Sequence, residues 1–222
     1  MRNWKKFLIL MLSLMTIFFA GCGAEKNSDT EKTPALEKNS SALENKNATS
    51  DKKILVAYFS RADENYNVGN ISKGNTKIVA EIIAEKVGAD IFEIKPVKNY
   101  PADYTECTEV AKVELQENAR PEIVGKVENF SDYDTIFLGY PIWWGDMPMA
   151  VYTFLEQENF AGKTVIPFCT HEGSSLSGTE KFISDKTKAK VLKGLAIRGS
   201  VAQNDSEKTK SEVENWLKNL NF

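Results

Sequence analysis

Three stretches of the chain are apolar without alternation: Ile54-Leu-Val-Ala-Tyr-Phe59, Thr135-Ile-Phe-Leu-Gly-Tyr140 and Thr164-Val-Ile-Pro-Phe-Cys169. A strand with one wet face alternates apolar and polar positions, whereas a strand covered on both faces does not. The three runs therefore predict the central strands of a parallel sheet. Pro167 removes a ladder donor from the third run, which predicts a bulge near that strand's end. Ile91-Phe-Glu-Ile94 and Leu195-Ala-Ile197 are shorter and predict outer strands.

Between these runs the apolar period changes to that of a helix. Ile78, Val79, Ile82, Ile83 and Val87 share one face, with Lys77, Glu81, Glu85 and Lys86 on the other, and Gly88 marks the stop. Further helices are predicted from Tyr104 to Asn118, from Met149 to Glu156 and from Thr179. A last one carries Val213, Trp216, Leu217 and Leu220. Strand and helix thus alternate five times. That order predicts an α/β open sheet with helices on both faces, joined by right-handed crossovers. Ligands of such sheets bind beyond the carboxyl ends of the strands, which directs attention to the loops after Phe59, Tyr140 and Cys169.

Not all 222 residues fit this pattern. Met1 to Gly21 opens with Arg2, Lys5 and Lys6 and continues with an apolar run from Phe7 to Ala20. The run is shorter than the roughly 20 residues a spanning helix needs. A basic start, a short apolar run and small residues before a cut site describe a signal peptide. The cut site, Phe19-Ala20-Gly21-Cys22, resembles the lipobox of bacterial lipoproteins, with Phe19 in place of the usual Leu. That resemblance implies lipidation at Cys22 and export to the outer face of the cytoplasmic membrane. Residues 22–52 are rich in Lys, Glu, Asn, Ser and Thr and have no aromatic residue, so they predict a disordered tether. Lys53 to Phe222, about 170 residues, suffices for one core. Loss of Arg2, Lys5 and Lys6 takes the net charge from −3 to −6. A mildly acidic chain without a Lys/Arg block predicts no sequence-independent grip on nucleic acid. Cys107 and Cys169 lack metal-ligand spacing, and read as a helix-surface and a strand-end residue.

The loops carry the chemistry. The first runs from Ser60 to Gly74-Asn75-Thr76 at a helix start, where free N–H groups and the positive dipole end favour an anion. The same residues also suit plain capping with no ligand. Gly69 to Thr76 nearly matches a nucleoside triphosphate loop, but Asn75 stands where the essential Lys belongs. The second loop, Tyr140-Pro-Ile-Trp-Trp-Gly-Asp-Met-Pro148, offers indoles for stacking on a flat heterocycle, although one Trp can also pack beneath the next helix. The third, Thr170-His-Glu-Gly-Ser-Ser-Leu-Ser-Gly178, holds the only His of the chain. It lacks the G-x-S-x-G pattern, and Ser174 and Ser175 lie too close to His171 in sequence for a hydrolase triad order. One His with scattered carboxylates makes no metal ligand set.

Taken in order, these loops resemble a known family. Tyr58-Phe59-Ser60, then Gly74-Asn75-Thr76 and an amphipathic helix, is similar to the phosphate loop of flavodoxins. Gly139-Tyr-Pro-Ile-Trp-Trp-Gly145 and Thr170-His-Glu-Gly-Ser174 resemble their two flavin-ring loops. The likeness runs from Lys53 to Phe222 and is closest to a bacterial flavodoxin-like group with an insertion in the phosphate loop. It implies a flavodoxin-like five-stranded parallel sheet of order 2-1-3-4-5 with FMN at the switch point. It also implies that Ser60, Gly74, Asn75 and Thr76 hold the phosphate, with Arg61 or Lys73 neutralising part of its charge. Pro141, Ile142, Trp143, Trp144 and Gly145 would flank one side of the ring, and Thr170, His171, Glu172, Gly173 and Ser174 the other. The family's redox-linked peptide flip would fall between Trp144 and Gly145. The Ala62–Lys73 insertion would lie beside the cofactor. The implied function is electron transfer or NAD(P)H-dependent flavin reduction, with a redox partner protein, a quinone or NAD(P)H as partner and the membrane reached through the lipid. A flavodoxin-fold module without FMN is the alternative, ahead of a hydrolase or NTPase.

Overall fold

The computed structural model describes residues 53–222; the expected signal peptide, the expected lipidation at Cys22 and the expected tether lie outside them. The apolar runs become β1 (Lys53–Tyr58), β5 (Tyr133–Pro141) and β6 (Thr164–His171), with β4 (Asp90–Glu93) outside β1. All pair in parallel, in the order β4-β1-β5-β6. The far edge is occupied by two short strands, β7 (Lys190–Val191) and β8 (Leu195–Arg198), both parallel to β6. By position the order is 2-1-3-4-5, as expected, with the fifth strand split.

Pro167 accounts for the split. It sits inside β6 opposite Leu138 with no register shift between β5 and β6, so the expected bulge in this strand is absent. The interruption falls instead in the edge partner, between the stretch facing Thr164–Val165 and the stretch facing Phe168–His171. Proline has no N–H for the ladder, and an edge strand can part there because its far side needs no partner.

Successive strand residues face opposite sides, and both sides are covered. Leu55, Ala57, Phe59, Ile136, Leu138 and Tyr140 join one core with α3 (Met149–Gln157) and α4 (Thr179–Thr187). Val56, Tyr58, Phe137, Ile166 and Phe168 join the other with α1 (Asn75–Val87) and α6 (Ser206–Asn219). That double cover is why the runs do not alternate. Gly88 closes α1 in the left-handed conformation, its N–H bonded to the Ala84 carbonyl. Asp103 caps α2 (Tyr104–Gln116) by accepting from the Glu106 N–H.

The insertion hairpin and a short helix were not expected from the pattern. The insertion folds into an antiparallel hairpin, β2 (Asp63–Asn65) and β3 (Gly69–Ile71), turned by Asn67 and Gly69 at positive φ. The Glu64 N–H donates to the Ala102 carbonyl and its carboxylate accepts from the Tyr104 N–H, which docks the hairpin on the start of α2. A short helix, α5 (Gly199–Asn204), follows β8. Cys107 is a buried residue of α2 and not a surface one; Cys169 is buried in β6. Both thiols are free, and burial raises both pKa values, Cys169 to about 12.

Candidate functional site

The carboxyl ends of β1, β5 and β6 meet the start of α1, and the first three loops converge there. Ser60 Oγ accepts from the Lys77 N–H at 3.0 Å and so caps α1 from outside the helix. Gly74, the N-cap residue, has an ordinary extended conformation and makes no side-chain cap bond. What it supplies is space, since a Cβ there would sit 2.2 Å from Ser60 Oγ and 2.4 Å from the Arg61 carbonyl oxygen. The N–H groups of Asn75 and Thr76 keep no acceptor among the described residues, as first-turn groups do. Thr76 is buried and its hydroxyl meets that of Thr170 at 2.8 Å, which ties the helix start to the end of β6.

Asn75 Oδ1 is buried and has no partner among the described residues. Its Nδ2 lies against Gly199, where a Cβ would stand 2.3 Å away. A buried orphan acceptor is costly, on the order of 1–3 kcal/mol, and it calls for a ligand with hydroxyl or N–H donors.

A cleft of about 140 Å³ opens from this point. Pro141, Ile142 and Trp143 form one wall, and Thr170, His171 and Glu172 the other. Two hairpin residues, Asn65 and Tyr66, and Tyr104 of α2 complete it, together with Asn75 and Gly199. Trp143 is fixed by edge-on contacts with Phe59 and Tyr100, at 5.3 and 5.0 Å between ring centroids. Trp144 turns away from this wall. Its indole N–H donates to the Thr108 carbonyl at 2.9 Å and its ring lies on α2 below the Lys112 ammonium.

Trp143 and Asp146 exchange both backbone hydrogen bonds around Trp144 and Gly145. The two central residues have φ of 54° and 81°, which defines a type I′ turn. Turning over the Trp144–Gly145 peptide would demand the first central conformation of a type II′ turn, which belongs to glycine. The expected flip of this peptide is therefore opposed by the Trp144 side chain.

The third loop is organised by His171. Its Nδ1 accepts from the N–H groups of Gly173 and Ser175, at 2.9 and 3.1 Å. Nδ1 must be unprotonated to do so, which places the ring proton on Nε2. Burial and the Arg198 charge lower the His171 pKa against a smaller opposing effect of Glu172. The folded state thus prefers the neutral ring. Its contribution is complete above the ordinary value of 6.5 and is lost as the pH falls through the lower folded value. The Gly173–Ser175 amide signals are expected to broaden on acidification below that value in an NMR titration. In His171→Ala they should be displaced already at neutral pH and show no such transition.

Glu172 is a clasp. Its carboxylate accepts from the Ser200 N–H at 2.6 Å and the Ser200 hydroxyl at 3.1 Å, at the start of α5. It also accepts from Asn67 Nδ2 at 3.3 Å, so the tip of the hairpin reaches across the cleft mouth. Gly173 and Ser174 belong to the turn held by His171 and do not line the cleft.

Two cations expected near the anion seat have other partners. Arg61 donates to the carbonyls of Pro101, Ala102 and Glu64 and braces the hairpin against the segment before α2. Lys73 pairs with Glu81 at 2.6 Å on the surface of α1. At the start of α1 this leaves backbone N–H groups and the helix dipole as what could hold an anion. Asn65 and Tyr66 belong to the insertion expected beside the site, whereas Tyr104 and Gly199 were not expected there. The glycine directly after an outer strand, in Ala196-Ile-Arg-Gly199, was the one available signal.

The flavodoxin family profile matches residues 53–220. A Bacteroides uniformis protein, provisionally named a flavoprotein, is 34% identical; the match covers 75% of this chain and 98% of that one, with a TM-score of 0.61. A Bacteroides eggerthii protein with the same provisional name is 30% identical over 78% and 99%, with a TM-score of 0.62. The flavoprotein from Lactobacillus acidophilus, solved in complex with FMN, is 24% identical over 74% and 98%, with a TM-score of 0.56. No curated protein matches the chain. The profile spans almost every described residue, two relatives align over nearly their whole length, and the sheet has the expected order: the chain belongs to the flavodoxin family.

Proposed function

We propose that the cleft binds FMN and that the protein is a redox carrier or flavin-dependent reductase. One observation carries this reading. A side-chain-poor helix start, a buried acceptor without a donor and a narrow cleft flanked by an indole meet at Asn75. The phosphate, hydroxylated chain and flat ring of FMN match these three in chemical kind. The free N–H groups of Asn75 and Thr76 would hold the phosphate, with Ser60 and Gly74 shaping the seat. Asn75 Oδ1 would accept from the hydroxylated chain. Trp143 and the His171 loop would flank the ring, and the hairpin would shield it from water.

FMN, when bound, supplies one- and two-electron chemistry at its ring. The chain's part is to bind and orient it. No hydroxyl bonds to His171 among the described residues, so the Ser–His pair of a hydrolase has no counterpart here. The FMN complex of a relative supports the reading, as does the family itself. The N-terminal pattern extends it to a location: a lipid at Cys22 holding the domain at the outer face of the cytoplasmic membrane. The redox partner there would be a protein, a quinone or NAD(P)H.

Titrating the apo domain with FMN should give a yellow one-to-one complex with quenched tryptophan fluorescence. Riboflavin, which lacks the phosphate, should bind about 100-fold more weakly, equivalent to about 2.7 kcal/mol. Equal affinity for the two would remove the anion seat from the reading, and no binding of either would end it. Bleaching of the bound flavin by NADH in stopped flow separates a reductase from a carrier.

A further inference from the structure

A second cavity, of about 260 Å³, adjoins the cleft. Ile142, Trp143, Tyr104 and Asn65 line both, so the two share a wall. The far side of this slot is formed by Trp144, Arg61 and three α2 residues, Cys107, Thr108 and Ala111. Nothing in the proposed cofactor site uses it. We propose that the slot binds a flat aromatic of one or two rings that carries a carbonyl oxygen, a quinone in chemical class, next to the flavin. The proposal rests on the FMN reading and adds to it the small-molecule partner and its seat.

Three observations carry it. Trp144 is 53% exposed, yet it is held in a left-handed backbone conformation and anchored through its indole N–H to α2. A large aromatic kept at positive φ and half in solvent does little for the core, and such outliers gather at ligand sites. With Trp143 and Tyr104 it gives the slot aromatic surfaces of the kind that stack on a flat ring. Second, Arg61 has no carboxylate partner among the described residues, and the second hydrogen of its Nη1 has no acceptor there. A guanidinium held by carbonyls alone keeps its charge and one N–H, and so favours a ligand oxygen and disfavours a cation. Third, the slot offers about 260 Å³ beside these aromatic surfaces, room for a flat ligand of one or two rings. Burial keeps the Cys107 thiol protonated, so this wall does not attack an electrophilic ring.

The test is calorimetric titration of the FMN-loaded chain with 1,4-naphthoquinone. Naphthalene serves as the probe without carbonyls and 1,4-cyclohexanedione as the probe without an aromatic ring. Saturable one-to-one binding of naphthoquinone is expected, with each control at least tenfold weaker. Thr108→Phe, outside the cofactor residues, fills the slot from α2 and should weaken naphthoquinone at least tenfold while FMN affinity stays unchanged. Trp144→Ala should also weaken it about tenfold, and stands in if the first variant does not fold. No saturable binding, or binding indifferent to both variants, overturns the proposal. So does mutual displacement of FMN and naphthoquinone, which would make the slot part of the cofactor's own seat. Uptake of naphthoquinone, sensitive to Thr108→Phe, by a chain that takes no FMN would sink the FMN reading and leave the slot standing.

Discussion

Gly74→Ala is expected to weaken FMN binding by about 100-fold or more. The backbone at Gly74 is one that any residue adopts, with φ of −64° and ψ of 149°. Space is the constraint: the added methyl would fall 2.2 Å from Ser60 Oγ, 2.4 Å from the Arg61 carbonyl oxygen and 2.8 Å from its carbon. Ser60 cannot swing away without giving up its bond to the Lys77 N–H, which caps the helix. The backbone of Arg61 is no freer, because its side chain is anchored to the Pro101 and Ala102 carbonyls. Overpacking of this kind costs about 1–3 kcal/mol, and it acts where the phosphate N–H groups must line up. Fluorescence titration with FMN and riboflavin checks it. Loss of FMN affinity should exceed loss of riboflavin affinity, because the phosphate seat is what moves. An alanine variant that binds FMN within threefold of the parent would show that the seat lies elsewhere.

Phe154→Ala should act on stability and spare the site. Phe154 is fully buried on α3, stacked on Phe92 at 5.7 Å and edge-on to Phe130 and Phe160 at 6.1 and 5.8 Å. Removing the ring deletes the centre of that aromatic cluster and leaves a cavity that the sheet face cannot close. Large-to-small changes at such positions cost about 3–5 kcal/mol, a large share of the usual 5–15 kcal/mol of a domain. Urea unfolding should show a lower midpoint with an unchanged slope. The folded fraction should bind FMN as before, since Phe154 lines neither the cleft nor the slot. A stability loss under 1 kcal/mol would mean that this face of the sheet is loosely packed.

Much of the fold was legible because strand burial writes itself into composition. Leu55, Ala57 and Phe59 serve one core and Val56 and Tyr58 the other, so the run has no polar position to spare. The helix face of Val79 and Ile83 arises from the same cover. The hairpin was not legible: Asp63–Asn65 and Gly69–Ile71 are three-residue strands whose residues are exposed or half-buried, so no apolar period marks them. Pro167 is visible in the sequence, but which strand it interrupts is not, because a missing N–H acts on whichever neighbour it faces.

By itself, then, the sequence determined the layered α/β architecture, the order of the loops and the three loops that converge on the start of α1. Those depend on local period, on glycine and on the residues directly after each buried strand. Only the tertiary structure decided how the individual side chains are used. It tied Arg61 and Lys73 to the hairpin and to α1, turned Trp144 away onto α2 and made Glu172 a clasp. It also brought Tyr104 and Gly199 to the cleft from positions remote in sequence. The physical reason is that hydrogen-bond partners and close approaches are set by distance in space. A residue's type shows what it can donate or accept, but not which group the fold places beside it.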